Sequence, residues 1–423
     1  MTGHSLINMN HWFCQVMRGS ADSVLLICAA LAALALPIHA HAQFSGQASA
    51  TGTYESNTNV FALNSGFSPT SDPNFRRSDT DFSYGAALNG SYLLGRQEFF
   101  ATGSTQEFKY QRYTQLDNTS YNVDAGLKWK LGDSLDGQLD ASRTHSMVPF
   151  YNLTGETSLA LVTVTEQRET AQIGLKLNSE WQIKGSAFTS KADQPTPDEP
   201  NLQLKQNSGT ATLEYSGFGS ITGGLMAGYA TGDYSGANAA FAAANPSFSQ
   251  TTAAFVAHYI HARSSFDGSI GYSRRTSSTG SDNTSGLTGS IAFTEQLTPK
   301  TSFSINAARS INSYIFNQGS VVDTSAGVVV NWQATYKLAV TAGYTFDYRN
   351  FPGQGNNPVG SDRVDIQESP TVSMIYRPLR WLQIRPYANF QTRRSTFVGG
   401  HFSQNVYGVS FTVTTPEKHR ARH

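Results

Sequence analysis

Polar and apolar residues alternate with a period of two along most of the chain after residue 43. In FSGQASATGTYE, Phe44, Gly46, Ala48, Ala50, Gly52 and Tyr54 are apolar or small. The residues between them, Ser45, Gln47, Ser49, Thr51, Thr53 and Glu55, are all polar. A strand sends successive side chains to opposite faces, so such a segment is a strand with two chemically different faces. YNVDAGLKWKLG repeats the pattern, with Tyr121, Val123, Ala125, Leu127, Trp129 and Leu131 opposed to Asn122, Asp124, Gly126, Lys128 and Lys130. FSYGAALNGSYLLG and YKLAVTAGYTFDYRN do the same, Phe82 to Leu94 and Leu338 to Tyr348.

The connections alternate as well. Short turns fall at LGRQE, LGDSL, NSEW, YSGFGS, HARSS, LTPKT, QATYK and YRPLRW. Long polar stretches fall near 57–80, 113–119, 145–168, 190–207, 232–249, 276–285, 312–322, 350–363 and 394–402. The long stretches are rich in Asn, Asp, Ser, Gly and Pro, the residues that build loops. One strand on each side of every connection gives about eighteen strands, within a range of roughly 16–18. Short turns at one end and long loops at the other are the pattern of a transmembrane, antiparallel, up-and-down β-barrel. An apolar face toward lipid need only be uncharged, which explains why Gly, Ala and Tyr suffice. A soluble sandwich would need bulky apolar residues between its sheets.

Aromatic residues are expected at strand ends, as interfacial girdles. Tyr344, Phe346 and Tyr348, with Phe108 and Tyr110, crowd long-loop ends, and Trp181, Trp332 and Trp381 lie near short turns.

Composition sharpens this picture. Charged residues are only 14% of the 423, and acidic and basic residues number 30 each. A balanced charge offers nothing to nucleic acid. Aromatics reach 12%. Ahead of the barrel, Arg18, the apolar run Val24 to Leu36 and Ala40-His41-Ala42 form the charge, core and A-x-A site of a secretory signal peptide. Residues 1–42 are therefore expected to be removed between Ala42 and Gln43, with translation starting at Met1 or Met17. Both cysteines, Cys14 and Cys28, would leave with it. The expected organisation is a barrel over 43–415 and a basic tail, PEKHRARH, over 416–423, in the outer membrane of a Gram-negative cell.

Several stretches resemble a known family. YESNTNVFAL is similar to the Tyr-x-x-Asn-x-x-Phe segment that follows the first strand in a family of outer-membrane barrels, with Thr58 inserted. LDNTSYNVDAGLKWKLGDSLDGQLDASRTHSM, TEQLTPKTSFSINAARS and YRPLRWLQIRPYANFQTRR resemble, in order, the EpsL-type proteins of exosortase-associated exopolysaccharide operons. The resemblance implies a role in making or exporting an extracellular polysaccharide. It also implies periplasmic export proteins as partners beside membrane lipid and the polymer.

Catalytic chemistry is hard to find. There is no GxSxG elbow, P-loop or GxGxxG. His258 and His261 fall on opposite strand faces and cannot share a metal ion without a bulge. Asp136 and Asp140 share a face about 13 Å apart, beyond the separation of paired glycosidase carboxylates. They are expected to meet Lys128 and Lys130 as lumen ion pairs. His145 is the one loop-end candidate for an enzyme acting on the polymer. No catalytic residue, metal or cofactor is assigned.

The polar face of WLQIRPYANFQTRR is more informative. Trp381, Gln383, Arg385, Tyr387, Asn389, Gln391 and Arg393 form its inward set. Arg385, Tyr387, Asn389 and Gln391 form a ladder suited to sugar hydroxyls and ring faces. Lys128, Lys130 and Arg349 would add positive charge for acidic glycans. The expected function is passage of a glycan along a polar lumen. The alternatives are a general or small-solute porin, a barrel hydrolase and a secreted adhesive β protein.

Overall fold

A computed structural model describes residues 42–64, 75–150, 159–195, 202–235, 247–279, 283–314, 319–352, 362–397 and 399–415. The expected leader and the basic tail lie outside the described residues. Ala42 and Gln43, which flank the expected cleavage point, open the first strand.

The strands, in chain order, are β1 (Ala42–Asn57), β2 (Asp79–Leu94), β3 (Gln97–Tyr110), β4 (Asn118–Leu131), β5 (Leu135–Met147) and β6 (Thr163–Lys176). Then come β7 (Trp181–Gln194), β8 (Leu202–Phe218), β9 (Ile221–Ser235), β10 (Ser247–His261), β11 (Ser264–Ser277) and β12 (Thr284–Thr298). The last six are β13 (Thr301–Tyr314), β14 (Gly319–Gln333), β15 (Leu338–Phe351), β16 (Arg363–Leu379), β17 (Leu382–Ser395) and β18 (Phe402–Thr414). Each strand pairs antiparallel with the next, and β1 pairs with both β2 and β18. The sheet is therefore a closed 18-stranded barrel. Closure follows from the solvent: hydrocarbon offers no hydrogen bonds, so a spanning sheet can leave no edge unpaired. Among the described residues no helix is long and apolar enough to cross a membrane.

All eight short turns fall where the sequence places them. Gly95 and Gly132 adopt φ of +62° there, a conformation that side-chain-bearing residues rarely take.

Register carries one face around the whole cylinder. Phe99, Leu127, Leu139 and Ala171 lie side by side across β3 to β6. Phe255, Ile270 and Gly289 continue the same face on β10 to β12. Its large residues are exposed, among them Phe44, Leu139, Phe255, Ile270, Leu287 and Phe411. Such a contiguous apolar surface is explained by lipid contact. The opposite face carries the buried polar groups, including Asp81, Ser83, Arg275 and Asp365.

Two expectations are corrected. Most long loops are shorter than the polar stretches suggest, because strands run past the membrane; the connection 111–117 keeps its expected length. A 14-residue strand such as β3, tilted by about 40°, rises roughly 35 Å against an apolar band of ~25 Å. The surplus carries outward ion pairs at the loop end: Lys109–Glu107 (2.8 Å), Lys191–Asp193 (2.9 Å) and Arg394–Glu368 (3.5 Å). Second, Phe108 and Tyr110 do not join a girdle. They stand opposite Ser83 and Asp81 and so point inward, while Glu107 and Lys109 take the outer face. Trp181, Trp332 and Trp381 are exposed near short turns, as expected.

Candidate functional site

The lumen wall is built largely of hydroxyls and amides. Neighbouring strands place them side by side, and they bond in short chains. Thr252 meets Ser273 (2.8 Å) and Ser273 meets Thr288 (3.0 Å), linking β10, β11 and β12. Ser269–Ser290 (2.9 Å), Thr294–Ser304 (3.1 Å), Thr51–Thr412 (3.0 Å) and Ser186–Thr210 (2.7 Å) extend the pattern. A hydroxyl both donates and accepts, so each pair keeps capacity for a solute or water.

The β17 ladder is on this wall, with two differences. Trp381 precedes β17 in the turn, outside the inward set. Tyr387 is already engaged: its hydroxyl donates to Glu55 Oε2 at 2.6 Å, reaching across β18 to β1. Gly408 makes that reach possible, since a Cβ there would stand 2.3 Å from Tyr387 Cζ. Arg385 is exposed, with its guanidinium 5.9 Å from the Tyr387 ring. Asn389 keeps a buried Oδ1 without a hydrogen-bond donor among the described residues. Gln391 is half-buried opposite Gln404.

The positive track for acidic glycans is largely neutralised. Lys128 pairs with Glu98 at 3.5 Å and Arg349 with Asp323 at 3.8 Å. Lys130 is exposed and stands opposite Asp136 in register. The expected ion pairs of Asp136 and Asp140 with Lys128 and Lys130 are not formed. Lys128 turns to Glu98 on the other neighbouring strand, and Asp140 accepts from Gln138 at 2.9 Å.

The long-loop mouth carries what sequence reasoning missed. Residues 58–63 fold over the lumen side of β1 and β18. Asn59 fixes the bend by donating to the carbonyls of Leu63 (2.8 Å) and Ser403 (3.0 Å). This seats Phe61 edge-on against Tyr113 and Phe150, at ring distances of 4.6 and 4.9 Å. Inward Tyr110 and Phe402 complete an apolar cluster there. Beside it, Asp365 is shared by two buried arginines. Arg363 makes a two-point contact with it and Arg393 approaches to 3.9 Å. The guanidiniums of Arg363 and Arg393 also lie over Phe351 (4.5 Å) and Phe402 (4.9 Å). The signal in the sequence was YESNTNVFAL itself, whose Glu55, Asn59 and Phe61 all act at this seam.

The catalytic candidate does not reach the lumen. His145 stands on the outer face beside Tyr121, its ring stacked at 5.4 Å, and its Nδ1 bonds Thr165 at 2.8 Å. His258 does face the lumen, between Asp267 (2.6 Å) and Glu214 (3.6 Å). No group of residues able to hold a metal ion is found among the described residues.

A closed barrel, apolar outside and wetted by hydroxyls inside, is a porin-like β-barrel of the outer membrane. Residues 264–415, the span from β11 to β18, match the family described as "Putative beta-barrel porin 2". No curated protein matches the chain. Among solved structures, the FrpB iron transporter from Neisseria meningitidis (F3-3 variant) is similar at 11% identity and a TM-score of 0.48. That likeness covers 85% of this chain and 63% of FrpB, so this chain spans less than two thirds of its length. Pseudomonas aeruginosa OpdO is similar at 12% identity and a TM-score of 0.47, covering 88% of this chain and 97% of OpdO. OpdL of the same organism gives 11% identity and a TM-score of 0.44, covering 88% and 99%. At these values the likeness is one of barrel architecture.

Proposed function

We propose that the barrel is a diffusion channel for small hydrophilic solutes, with no covalent chemistry of its own. The observation that carries this reading is the hydroxyl-lined inner wall, where Thr252, Ser273 and Thr288 bond side by side. Such a wall replaces water's hydrogen bonds without holding a solute tightly. Support also comes from the porin family model over β11 to β18. A barrel of about this many strands is wide enough for an aqueous passage.

A second reading, passage of an exopolysaccharide, draws on the same hydroxyls and on the exposed Arg385 and half-buried Gln391 of β17. The neutralised Lys128 and Arg349 favour neutral over acidic cargo in either reading. The partners of the second reading would be the polymer and periplasmic export proteins.

The test is reconstitution of the purified barrel in planar bilayers and in vesicles. Stepwise ionic conductance together with vesicle swelling in arabinose or glucose is the expected result. A folded barrel that passes neither ions nor sugars overturns the channel reading. A deletion strain that loses surface polysaccharide while small-solute uptake persists would favour the second.

A further inference from the structure

A groove of about 690 Å³ is cut into the lumen wall from Leu93 on β2 to Thr212 on β8, toward the short-turn mouth. Its floor is Gly174 on β6. A Cβ at that position would stand 3.0 Å from Gln182 Nε2 and 3.2 Å from Asp136 Oδ1. The missing side chain therefore lets the Gln182 amide and the Asp136 carboxylate converge over the floor, in the space a Cβ would take.

The lining is dense in groups that both donate and accept. Gln138, Gln172 and Gln182 supply three side-chain amides, and Ser186 and Thr210 supply hydroxyls. The charged groups balance locally. Lys128 pairs with Glu98 at 3.5 Å, Lys184 with Glu214 at 2.8 Å, Arg96 with Asp133 at 3.0 Å, and Lys130 stands opposite Asp136. Phe100, inward on β3, lies outside the lining, under the ammonium of the lining residue Lys128 at 5.2 Å. Its ring lies over Gly126, where a Cβ would be 2.6 Å from its Cζ.

We propose that this groove is a binding subsite for a short, uncharged oligosaccharide. The proposal rests on the reading of the lumen as a path for hydrophilic solutes. Vicinal sugar hydroxyls donate and accept together, which side-chain amides match group for group. Balanced charge removes any strong preference for an ionic ligand. The volume falls within the roughly 300–1,000 Å³ of small-molecule sites.

The test is calorimetric titration of the detergent-solubilised, heat-modifiable barrel with maltotriose, and separately with trigalacturonate as an acidic counterpart. Maltotriose is expected to bind the parent. Gly174→Gln, which displaces the flexible ends of Gln182 and Asp136 and projects into the groove, is expected to weaken binding at least tenfold. The paired substitution Gln138→Ala with Gln172→Ala keeps the backbone of the floor intact and is expected to weaken it similarly. No maltotriose binding to the parent, unchanged binding in a folded variant, or tighter binding of trigalacturonate would each overturn the proposal. Because binding is read directly, a barrel that conducts but binds no maltotriose refutes the groove alone. A barrel that binds it but does not conduct refutes the channel reading.

Discussion

The Tyr387 hydroxyl donates a 2.6 Å hydrogen bond to Glu55, over the seam at which the first and last strands of the barrel meet. The two residues are far apart in sequence, and the bond exists only in the closed cylinder. It passes above Gly408 of β18, which gives it room. A hydrogen bond to a charged group contributes about 1.5–3 kcal/mol. Tyr387→Phe should lower barrel stability by an amount in that range, and Gly408→Val should do at least as much by displacing the ring. Unfolding in urea from lipid vesicles, followed by heat-modifiable migration, reads both. Parent-like stability in both variants would mean that the seam is held by the backbone ladder alone.

The neighbours Ser269 and Ile270 meet different solvents on β11. Ile270 is exposed on the outer face, and Ser269 bonds Ser290 in the lumen. Arginine toward lipid near the bilayer midplane costs roughly 2–4 kcal/mol, whereas a lumen position is wetted. Ile270→Arg should therefore destabilise folding into vesicles by about that amount, and Ser269→Arg by much less. Equal costs for the two would deny the assignment of faces.

The carboxylate of Asp365 is buried with Arg363 and Arg393 at the loop-side mouth. Removing one partner of a buried ion pair costs about 3–5 kcal/mol, since it strands a desolvated charge. Asp365→Asn should loosen the β16–β17 end and expose it to added protease, while the opposite, short-turn end stays protected. Parent-like proteolysis would show that the stacked Phe351 and Phe402 rings suffice.

Arg385 is exposed to the lumen, and no carboxylate lies within ion-pair distance of it among the described residues. Arg385→Ala should shift the reversal potential under a KCl gradient toward greater cation preference. An unmoved potential would place Arg385 outside the conducting path.

Much of this was legible in the chain. Period-two alternation together with the short turns gave the strand number, and the β4 alternation from Tyr121 to Leu131 gave the correct faces. The phase failed on β3, where Phe99 and Phe100 are adjacent and aromatic identity cannot choose between faces. Only pairing with β2 fixes Phe99 outward and Phe108 inward. Ion pairing was equally hidden. Lys128 has a carboxylate neighbour on each side, and register alone shows that Glu98 faces it directly while Asp136 is offset. Strand ends were misjudged because both faces turn polar beyond the bilayer, though the hydrogen-bond ladder continues. The Phe61 cluster was invisible because an apolar residue in a polar loop carries no period.

Cysteine accessibility along β12 tests the two-solvent cylinder most directly, because the sequence has no cysteine after Cys28. Single cysteines would be placed at Leu287, Thr288, Ser290, Ile291 and Ala292 in the membrane-reconstituted barrel. Charged, water-soluble thiol reagents should label positions 288, 290 and 292 rapidly and spare 287 and 291. Uniform labelling, or labelling that does not alternate with the register, would contradict a wall that is wet on one side and in lipid on the other.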